Sequence, residues 1–212
     1  MIKVNEIFKS IQGESSYAGH PFVFVRFTGC NLRCTYCDTT YAFTEGFDIS
    51  ENELIREIES FGLKNIEITG GEPLLQDGIY PLSTKLIKMG YLVLVETNGT
   101  INIGKLDKNI VKIVDIKCPG SNEDGKMVWD NLTLMDKKDE VKFVIMNQDD
   151  YKWAKGILKK FALTKRFTVN FSPAYGYCKP DTLAQWILDD NLKVRLNLQL
   201  HKYIWKDKVR GV

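Results

Sequence analysis

Short apolar runs recur along the chain at fairly regular intervals, and each has the length of a β-strand. Most of them are continuous and do not alternate with polar residues, which is typical of strands that are covered on both faces. The runs comprise residues 22–27, 66–69, 92–96, 110–116, 141–145, 167–171 and 194–200. This pattern predicts a mostly parallel sheet.

Helical patterns lie between several of these runs. Ser50 and Glu53 have the spacing of a capping box, which predicts a helix start. Apolar residues spaced by three and four predict further helices within residues 79–89, 153–161 and 183–187. Alternating strands and helices indicate an α/β fold. A complete eight-unit barrel needs roughly 250 residues, so 212 residues predict one domain, residues 1–212, with a partial, TIM-like barrel.

Composition and charge mainly exclude classes of protein. The chain is 44% hydrophobic and 26% charged, which favours a folded core over disorder. A net charge of +2 leaves no polybasic surface, so we expect no nucleic-acid partner. The N-terminal segment lacks the apolar core of a signal peptide, and no apolar run approaches the length of a membrane span. We therefore expect a cytoplasmic protein that does not bind membranes.

Three cysteines form one compact motif, C-x3-C-x2-C, made of Cys30, Cys34 and Cys37. A cubic iron–sulfur cluster normally has four thiolate ligands, so three thiolates on one loop would leave one iron open to another ligand. A structural zinc site is the alternative, although zinc ligands usually come as two paired elements. Its fourth ligand would be chosen from His20, His201, Cys118 and Cys178. A disulfide is disfavoured because the chain has five cysteines, an odd number.

Unusual polar segments follow four of the predicted strands. The cysteine motif follows the first run, and Gly-Gly-Glu-Pro at 70–73 follows the second. Glu-Thr-Asn-Gly at 96–99 and Asp-Ile-Lys at 115–117 end the next two. Because the carboxyl ends of parallel strands meet at one rim, these segments predict a single site.

The cysteine motif, with Tyr36 before its last cysteine, and the Gly-Gly-Glu-Pro segment resemble the radical S-adenosylmethionine (SAM) superfamily. This resemblance implies a [4Fe–4S] cluster held by the three cysteines and left with one open iron, where SAM would bind. It also implies cofactor contacts from Tyr36, Gly71, Lys117 and Lys142. Taken alone, each of these lysines could equally be a solvated surface charge.

More narrowly, the chain is similar to the 7-carboxy-7-deazaguanine synthase family from about residue 5 onwards. The matching segments are Ile-Gln-Gly-Glu at 11–14, Cys-Asp-Thr at 37–39, Asp-Ile-Lys-Cys-Pro at 115–119, and Gln-Leu-His-Lys at 199–202 followed by Trp205. The family motif at 11–14 usually continues with glycine, whereas this chain has Ser15. Because of that departure, the motif does not predict the backbone path of this loop.

This resemblance implies conversion of 6-carboxy-5,6,7,8-tetrahydropterin to 7-carboxy-7-deazaguanine with loss of ammonia, and a Mg²⁺ ion bound through Thr39. The implied substrate residues are Ile11, Gln12, Gly13, Glu14, Arg26, Thr69, Glu96 and His201. Three alternatives stay open: Thr39 bonds only to nearby backbone, Arg26 forms an internal salt bridge, and His201 is a structural histidine on a strand.

The family also implies a homodimer and an electron donor such as flavodoxin or ferredoxin. Two other functions compete with it. One is a glycyl-radical activating enzyme, which would lack the segments at 11–14 and 199–202. The other is a zinc-stabilised interaction module without catalysis.

Overall fold

Within the residues that the computed structural model describes, 1–206 and 208–212, nine strands form one sheet. They are β1 (Ile2–Ile11), β2 (Pro21–Phe27), β3 (Phe47–Ile49), β4 (Asn65–Gly70), β5 (Leu92–Thr97), β6 (Val111–Asp115), β7 (Glu140–Ile145), β8 (Thr168–Pro173) and β9 (Arg195–Leu196). Their order is β3-β1-β2-β4-β5-β6-β7-β8-β9. Every pairing from β2 to β9 is parallel, and β1 pairs antiparallel with β2 and β3. The sheet is not closed, so the prediction of a partial, mostly parallel barrel is confirmed.

Helices connect most of the parallel strands. They are α1 (Glu51–Ser60), α2 (Ile79–Lys88), α3 (Gln148–Phe161), α4 (Leu163–Arg166), α5 (Pro180–Asp189) and α6 (Leu200–Ile204), with short 3-10 helices at Thr40–Phe43, Pro73–Leu75, Ile103–Lys105, Pro119–Ser121, Asp124–Lys126 and Trp129–Thr133. The predicted capping box is present: the amide of Glu53 donates to the Ser50 hydroxyl, and the Ser50 amide donates to the Glu53 carboxylate. The buried faces of α1, α2, α3 and α5 pack with the sheet into the main core.

The strand predicted at 194–200 is wrong beyond residue 196. Only Arg195 and Leu196 pair with β8, and Leu200 already begins α6. The polar side chains in between turn inward, because Asn197 and Gln199 both donate to Glu14. His201 therefore lies on a short helix and not on a strand.

Two strands, β1 and β3, were not predicted. The continuous apolar pattern fits central parallel strands, whereas β1 is an antiparallel strand that alternates buried and exposed residues over Ile2, Lys3 and Val4. β3 has only three residues and lies at the sheet edge. Because exposed charged residues interrupt the apolar positions of β1, a pattern of continuous apolar runs does not predict this strand.

Apolar side chains fill the amino-terminal half of the barrel interior, in a second cluster of Phe8, Phe22, Phe24, Leu94, Val111 and Ile113. Because side chains alternate along a strand, the residue two positions after each of these faces the same way. In three strands that residue is polar: Arg26 follows Phe24, Glu96 follows Leu94, and Asp115 follows Ile113. The interior is thus an apolar floor beneath a polar cavity.

The β1–β2 loop, residues 12–20, reaches across the barrel to its far strands. Glu140 on β7 accepts a hydrogen bond from the Ser16 amide (3.1 Å) and from Asn170 Nδ2 (2.5 Å). The Leu200 amide donates to the Gly13 carbonyl at 3.0 Å. The loop starts beside the amino end of β2, where Ile11 pairs with Pro21, and these bonds hold Gln12 and Glu14 against the polar cavity.

Ser15 adopts a left-handed backbone conformation, with φ of 61°. Glycine adopts this conformation readily. The backbone at Ser15 therefore follows the path expected of the glycine that the family motif usually has here. A residue other than glycine in the left-handed region costs roughly 1–3 kcal/mol of stability. The Ser15 hydroxyl offsets part of this cost, because it accepts a hydrogen bond from the Tyr17 amide at 3.2 Å.

We expect Ser15→Gly to raise the free energy of unfolding by about 0.5–1 kcal/mol, after the greater freedom of glycine in the unfolded chain is subtracted. The thermal midpoint of the anaerobically reconstituted protein measures this. Ser16→Gly is the matched control and should lower stability, because Ser16 binds Glu140 and has no positive φ. A lower midpoint for Ser15→Gly would contradict the strain argument.

Candidate active site

A cavity of about 520 Å³ opens at the carboxyl ends of the parallel strands. All four polar segments that the sequence assigned to one rim contribute to its lining: the cysteine loop, Gly70 and Gly71, residues 96–98, and Asp115 with Lys117. The β1–β2 loop and α6 complete the wall. The rim prediction is confirmed by this common cavity.

Cys30, Cys34 and Cys37 are free, partly exposed thiols that line one end of the cavity. Burial raises the pKa of the Cys34 thiol to about 11, and the charge of Lys117 opposes it. Two hydrogen bonds attach the cysteine loop to residues 119–123: the Arg33 amide donates to Glu123 (2.5 Å), and Thr35 Oγ1 donates to the Gly120 carbonyl (2.7 Å). Across residues 1–206 and 208–212, no three His, Cys, Asp or Glu side chains are placed as ligands of a single ion.

Two buried polar atoms beside the thiols have no hydrogen-bond partner among the described residues. They are the Tyr36 hydroxyl and Asp115 Oδ1. The other oxygen of Asp115 accepts from Lys117 Nζ at 2.7 Å. Three thiols together with two unsatisfied polar atoms fit a metal–sulfur cluster and a polar cofactor bound next to it.

Lys117 is mostly buried, with a side chain 14% exposed, so the solvated-charge alternative is wrong for it. Burial acts to lower its pKa, but the charge of Asp115 outweighs burial and the pKa is raised. Lys117 is therefore a fixed positive charge at the cysteine end of the cavity.

Gly70 and Gly71 leave room for the cysteine loop. A Cβ on Gly71 would overlap the Gly29 carbonyl and Cys30 Cβ, and a Cβ on Gly70 would overlap the Phe27 carbonyl. The fully buried Glu72 stabilises the position of these glycines. Its carboxylate accepts hydrogen bonds from Thr97 Oγ1 (2.9 Å) and the Asn98 amide (2.7 Å). The glycines thus bring the ends of β2 and β4 into close backbone contact, and the Glu72 side chain connects the end of β5 to them.

The opposite end of the cavity contains a cluster of charges. Lys142 Nζ lies 2.5 Å from a Glu14 carboxylate oxygen and 2.8 Å from one of Glu96. Glu14 also accepts from Gln199 Nε2 at 2.9 Å. Lys142 is buried, so the surface-charge alternative is wrong here too. Its side-chain partners, Glu14 and Glu96, are residues predicted for substrate, and its neighbour across the sheet is Asp115.

Arg26 forms the internal salt bridge that was one of its two alternatives. Its Nε lies 2.7 Å from Glu6 Oε1. Its two Nη groups donate to none of the described residues, and the side chain lines the cavity. The salt bridge therefore orients the guanidinium and leaves its outer edge available.

The side chain of Thr39 makes no hydrogen bond to nearby backbone among the described residues. Its hydroxyl donates to Asp38 Oδ1 at 2.9 Å, and Asp38 also pairs with Lys202. Burial acts to raise the pKa of Asp38, but Lys202 outweighs it and lowers the pKa to about 2. Thr39 thus stands beside a permanently ionised carboxylate at the cavity edge.

His201 packs so closely on Gly13 that a Cβ there would overlap its Nδ1. Burial lowers the pKa of His201, against the charge of Glu14, so the ring is neutral near pH 7. Ile11, Gln12 and Thr69 also line the cavity. All sixteen residues predicted for the site contribute to its lining.

Among the lining residues that sequence reasoning missed are two carboxylates, Glu67 and Asp38. The signal for Glu67 was the period-two alternation of a strand, because Thr69 lies two residues further on. Asp38 stands between two predicted metal ligands, and nothing in the sequence marks the distant Lys202 as its partner.

Comparison with known proteins supports this geometry. The family model described as "Radical SAM superfamily" matches residues 24–162. A protein of Koribacter versatilis named 7-carboxy-7-deazaguanine synthase is 42% identical, with 100% of both chains covered. One of the same name from Chlorobaculum tepidum is 41% identical, over 100% of this chain and 97% of that protein. The crystal structure of QueE from Escherichia coli superposes with a TM-score of 0.77, at 24% identity and 93% coverage of each chain.

The open barrel and the three-cysteine loop define a radical SAM enzyme, a class that works with a [4Fe–4S] cluster and SAM. This confirms the superfamily expected from the motifs and sets aside the zinc-stabilised module. Within that class, the chain belongs to the 7-carboxy-7-deazaguanine synthase family, whose members are lyases. No helix in the described part of the chain is long and apolar enough to cross a membrane.

Proposed function

We propose that this chain converts 6-carboxy-5,6,7,8-tetrahydropterin to 7-carboxy-7-deazaguanine with loss of ammonia. Full-length similarity to relatives of that name supports the reaction. The observation that carries the proposal is the two-ended cavity, with thiols at one end and Glu14, Glu96 and Lys142 at the other. Such a cavity can hold a cofactor and a polar heterocycle side by side.

At the cysteine end, Cys30, Cys34 and Cys37 would hold the cluster. When bound, the cluster and SAM supply a carbon-centred radical through one-electron cleavage of the sulfonium. Gly71, Lys117 and Tyr36 would contact the methionine part of SAM, and the Tyr36 hydroxyl, which has no partner among the described residues, would donate to it.

At the other end, the side chains match a carboxylated pterin. The Arg26 guanidinium, held by Glu6, offers two Nη groups to a carboxylate in bidentate geometry. Gln12, Glu14, Thr69, Glu96 and the neutral His201 offer acceptors and donors for the ring edges. Lys142 neutralises part of the negative charge of the two glutamates there.

We include Mg²⁺ in the proposal, bound through the Thr39 hydroxyl. A hydroxyl alone is a weak ligand, so substrate oxygens and waters would complete the octahedron. The neighbouring Asp38 carboxylate favours a cation at this point.

The proposal further includes a single domain, a cytoplasmic location, a homodimer and a one-electron donor such as flavodoxin or ferredoxin. An external donor follows from the chemistry, because the cluster would have to be reduced before SAM could be cleaved. Lys206 and Lys208 are exposed residues of the cavity lining, and their charges would complement an acidic donor.

The test is anaerobic incubation of the reconstituted protein with SAM, dithionite and the carboxypterin, followed by mass detection of the deazapurine. We expect product only when all three are present, and less product when a chelator removes Mg²⁺. A protein with an intact cluster that cleaves SAM but leaves the pterin unchanged would refute the reaction. Turnover that is indifferent to chelation would refute the role of Thr39.

A further inference from the structure

Glu67 lies on the floor of the cavity, where the sequence predicted no functional residue. It is on β4, and its neighbours in the sheet are Phe24 on β2 and Leu94 on β5. Both neighbours belong to the inner apolar cluster. Glu67 is only 4% exposed and still lines the cavity. A carboxyl group placed between two apolar side chains needs a specific reason, because its burial is costly.

Its protein partners do not supply that reason. Glu67 Oε2 accepts a hydrogen bond from Gln12 Nε2, and Oε1 accepts none from the residues that the structure describes. The nearest ammonium group, that of Lys142, is already shared by Glu14 and Glu96. Three carboxyl groups thus face one cation. Burial raises the pKa of Glu67, and the charge of Glu96 raises it further.

The orientation of Gln12 is fixed by the same arrangement. Its Oε1 accepts from the Glu14 amide at 3.1 Å, so its Nε2 must point to Glu67. Gln12 therefore holds one edge of the Glu67 carboxyl and leaves the remaining lone pairs directed at the cavity. The group is an oriented acceptor that lacks a second donor.

We propose that Glu67 is a specificity-determining residue, which accepts hydrogen bonds from the adjacent ring N–H and amino group of an aminopyrimidinone. This inference rests on the proposed function, because a pterin carries that donor edge. Two N–H donors of a bound ring would favour the ionised form of Glu67 against the burial that raises its pKa, and a planar carboxylate matches two parallel N–H donors. A ring with a carbonyl in place of the amino group would direct an oxygen at Glu67 and would be rejected.

The test compares two fluorescent ligands on the anaerobically reconstituted protein. These are 6-carboxypterin, which has the amino group, and 6-carboxylumazine, in which a carbonyl replaces it. We expect the wild-type protein to prefer the pterin by about 100-fold or more, since an unpaired polar contact is rejected strongly. Glu67→Gln should weaken pterin binding about 10- to 100-fold and reduce the preference to less than about tenfold.

The matched control is Asp139→Asn. Asp139 is another buried carboxylate, but it binds Lys112 and the Asp136 amide outside the cavity. It should lower the thermal midpoint and leave both affinities unchanged. Glu67→Leu is the second variant. The protein should fold with this apolar side chain between Phe24 and Leu94, and it should also lose the preference for the pterin over the lumazine.

Each outcome decides one question. If Glu67→Gln and Glu67→Leu keep the full preference for the pterin, the inference about Glu67 is overturned while the proposed function stands. If the wild-type protein binds neither ligand, the proposed function itself fails. A loss of preference in both variants, with the control unchanged, supports the assignment.

Discussion

Replacing Cys34 by alanine is expected to abolish the iron–sulfur cluster and all turnover. Cys30, Cys34 and Cys37 are on one loop at the cavity wall, and Cys118 and Cys178 are buried elsewhere without contributing to the lining. With only three thiolates for four irons, no ligand is redundant. Alanine at Cys30 or Cys37 should have the same effect. Iron and sulfide analysis after anaerobic reconstitution, with a turnover assay, measures it.

Cys178→Ala is the matched control for this series. Cys178 is buried in the main core, away from the cavity lining, and its thiol donates to the Lys179 carbonyl. The variant should keep its brown colour, its iron content and its activity. A Cys34→Ala protein that retained wild-type iron and sulfide would show that a different residue completes the ligand set.

Lys142→Met is expected to lower both stability and substrate affinity. The change leaves the partly buried Glu14 and Glu96 without their shared, buried cation. Breaking a buried ion pair by removing one partner costs about 3–5 kcal/mol. For a chain of this size that corresponds to a loss of roughly 10 °C in the thermal midpoint. The KM for the carboxypterin should rise, because the repelled carboxylates no longer hold their positions.

The loss caused by Lys142→Met should depend on pH. In the wild-type protein, burial acts to raise the pKa of Glu14 but Lys142 outweighs it, so the pKa is lowered. The stabilisation from ionised Glu14 is therefore present above its unfolded pKa, about 4.3, and is lost as pH falls through the lowered value. Without Lys142, burial dominates and the pKa rises, so the variant should be penalised more at about pH 8 than at about pH 5.

Lys112→Met separates the stability effect from the substrate effect. Lys112 is equally buried, and it pairs with Asp139 at 3.1 Å outside the cavity. This variant should lose a similar amount of stability with no change in KM. Equal penalties for Lys142→Met at both pH values, or an unchanged KM, would contradict the role given to the charge cluster.

Much of the fold could be predicted because its signals are local. Continuous apolar runs marked the central parallel strands, and Ser50 with Glu53 marked the start of α1. The strand predicted at 194–200 failed because its inward residues, Asn197 and Gln199, are held by Glu14, which lies far away in the sequence. β1 was missed because its apolar face alternates with exposed charges.

The candidate site divides in the same way. The cysteine motif and the segments at strand ends are contiguous in sequence, so their residue types already indicate their chemistry. The ion pairs are not contiguous: Lys142 and Glu96 are 46 positions apart, and Arg26 and Glu6 are 20 apart. Any of the 27 acidic residues was a possible partner for either cation until the fold was known.

The sequence alone determined the class of chemistry, because one short loop carries the three thiols and parallel strands direct their following loops to one rim. Only the tertiary structure decided which charges meet, and that Glu67 faces the cavity between two apolar neighbours. The physical reason is that electrostatic pairing and burial depend on distances in space. Those distances are fixed only when the strands have taken their order in the sheet.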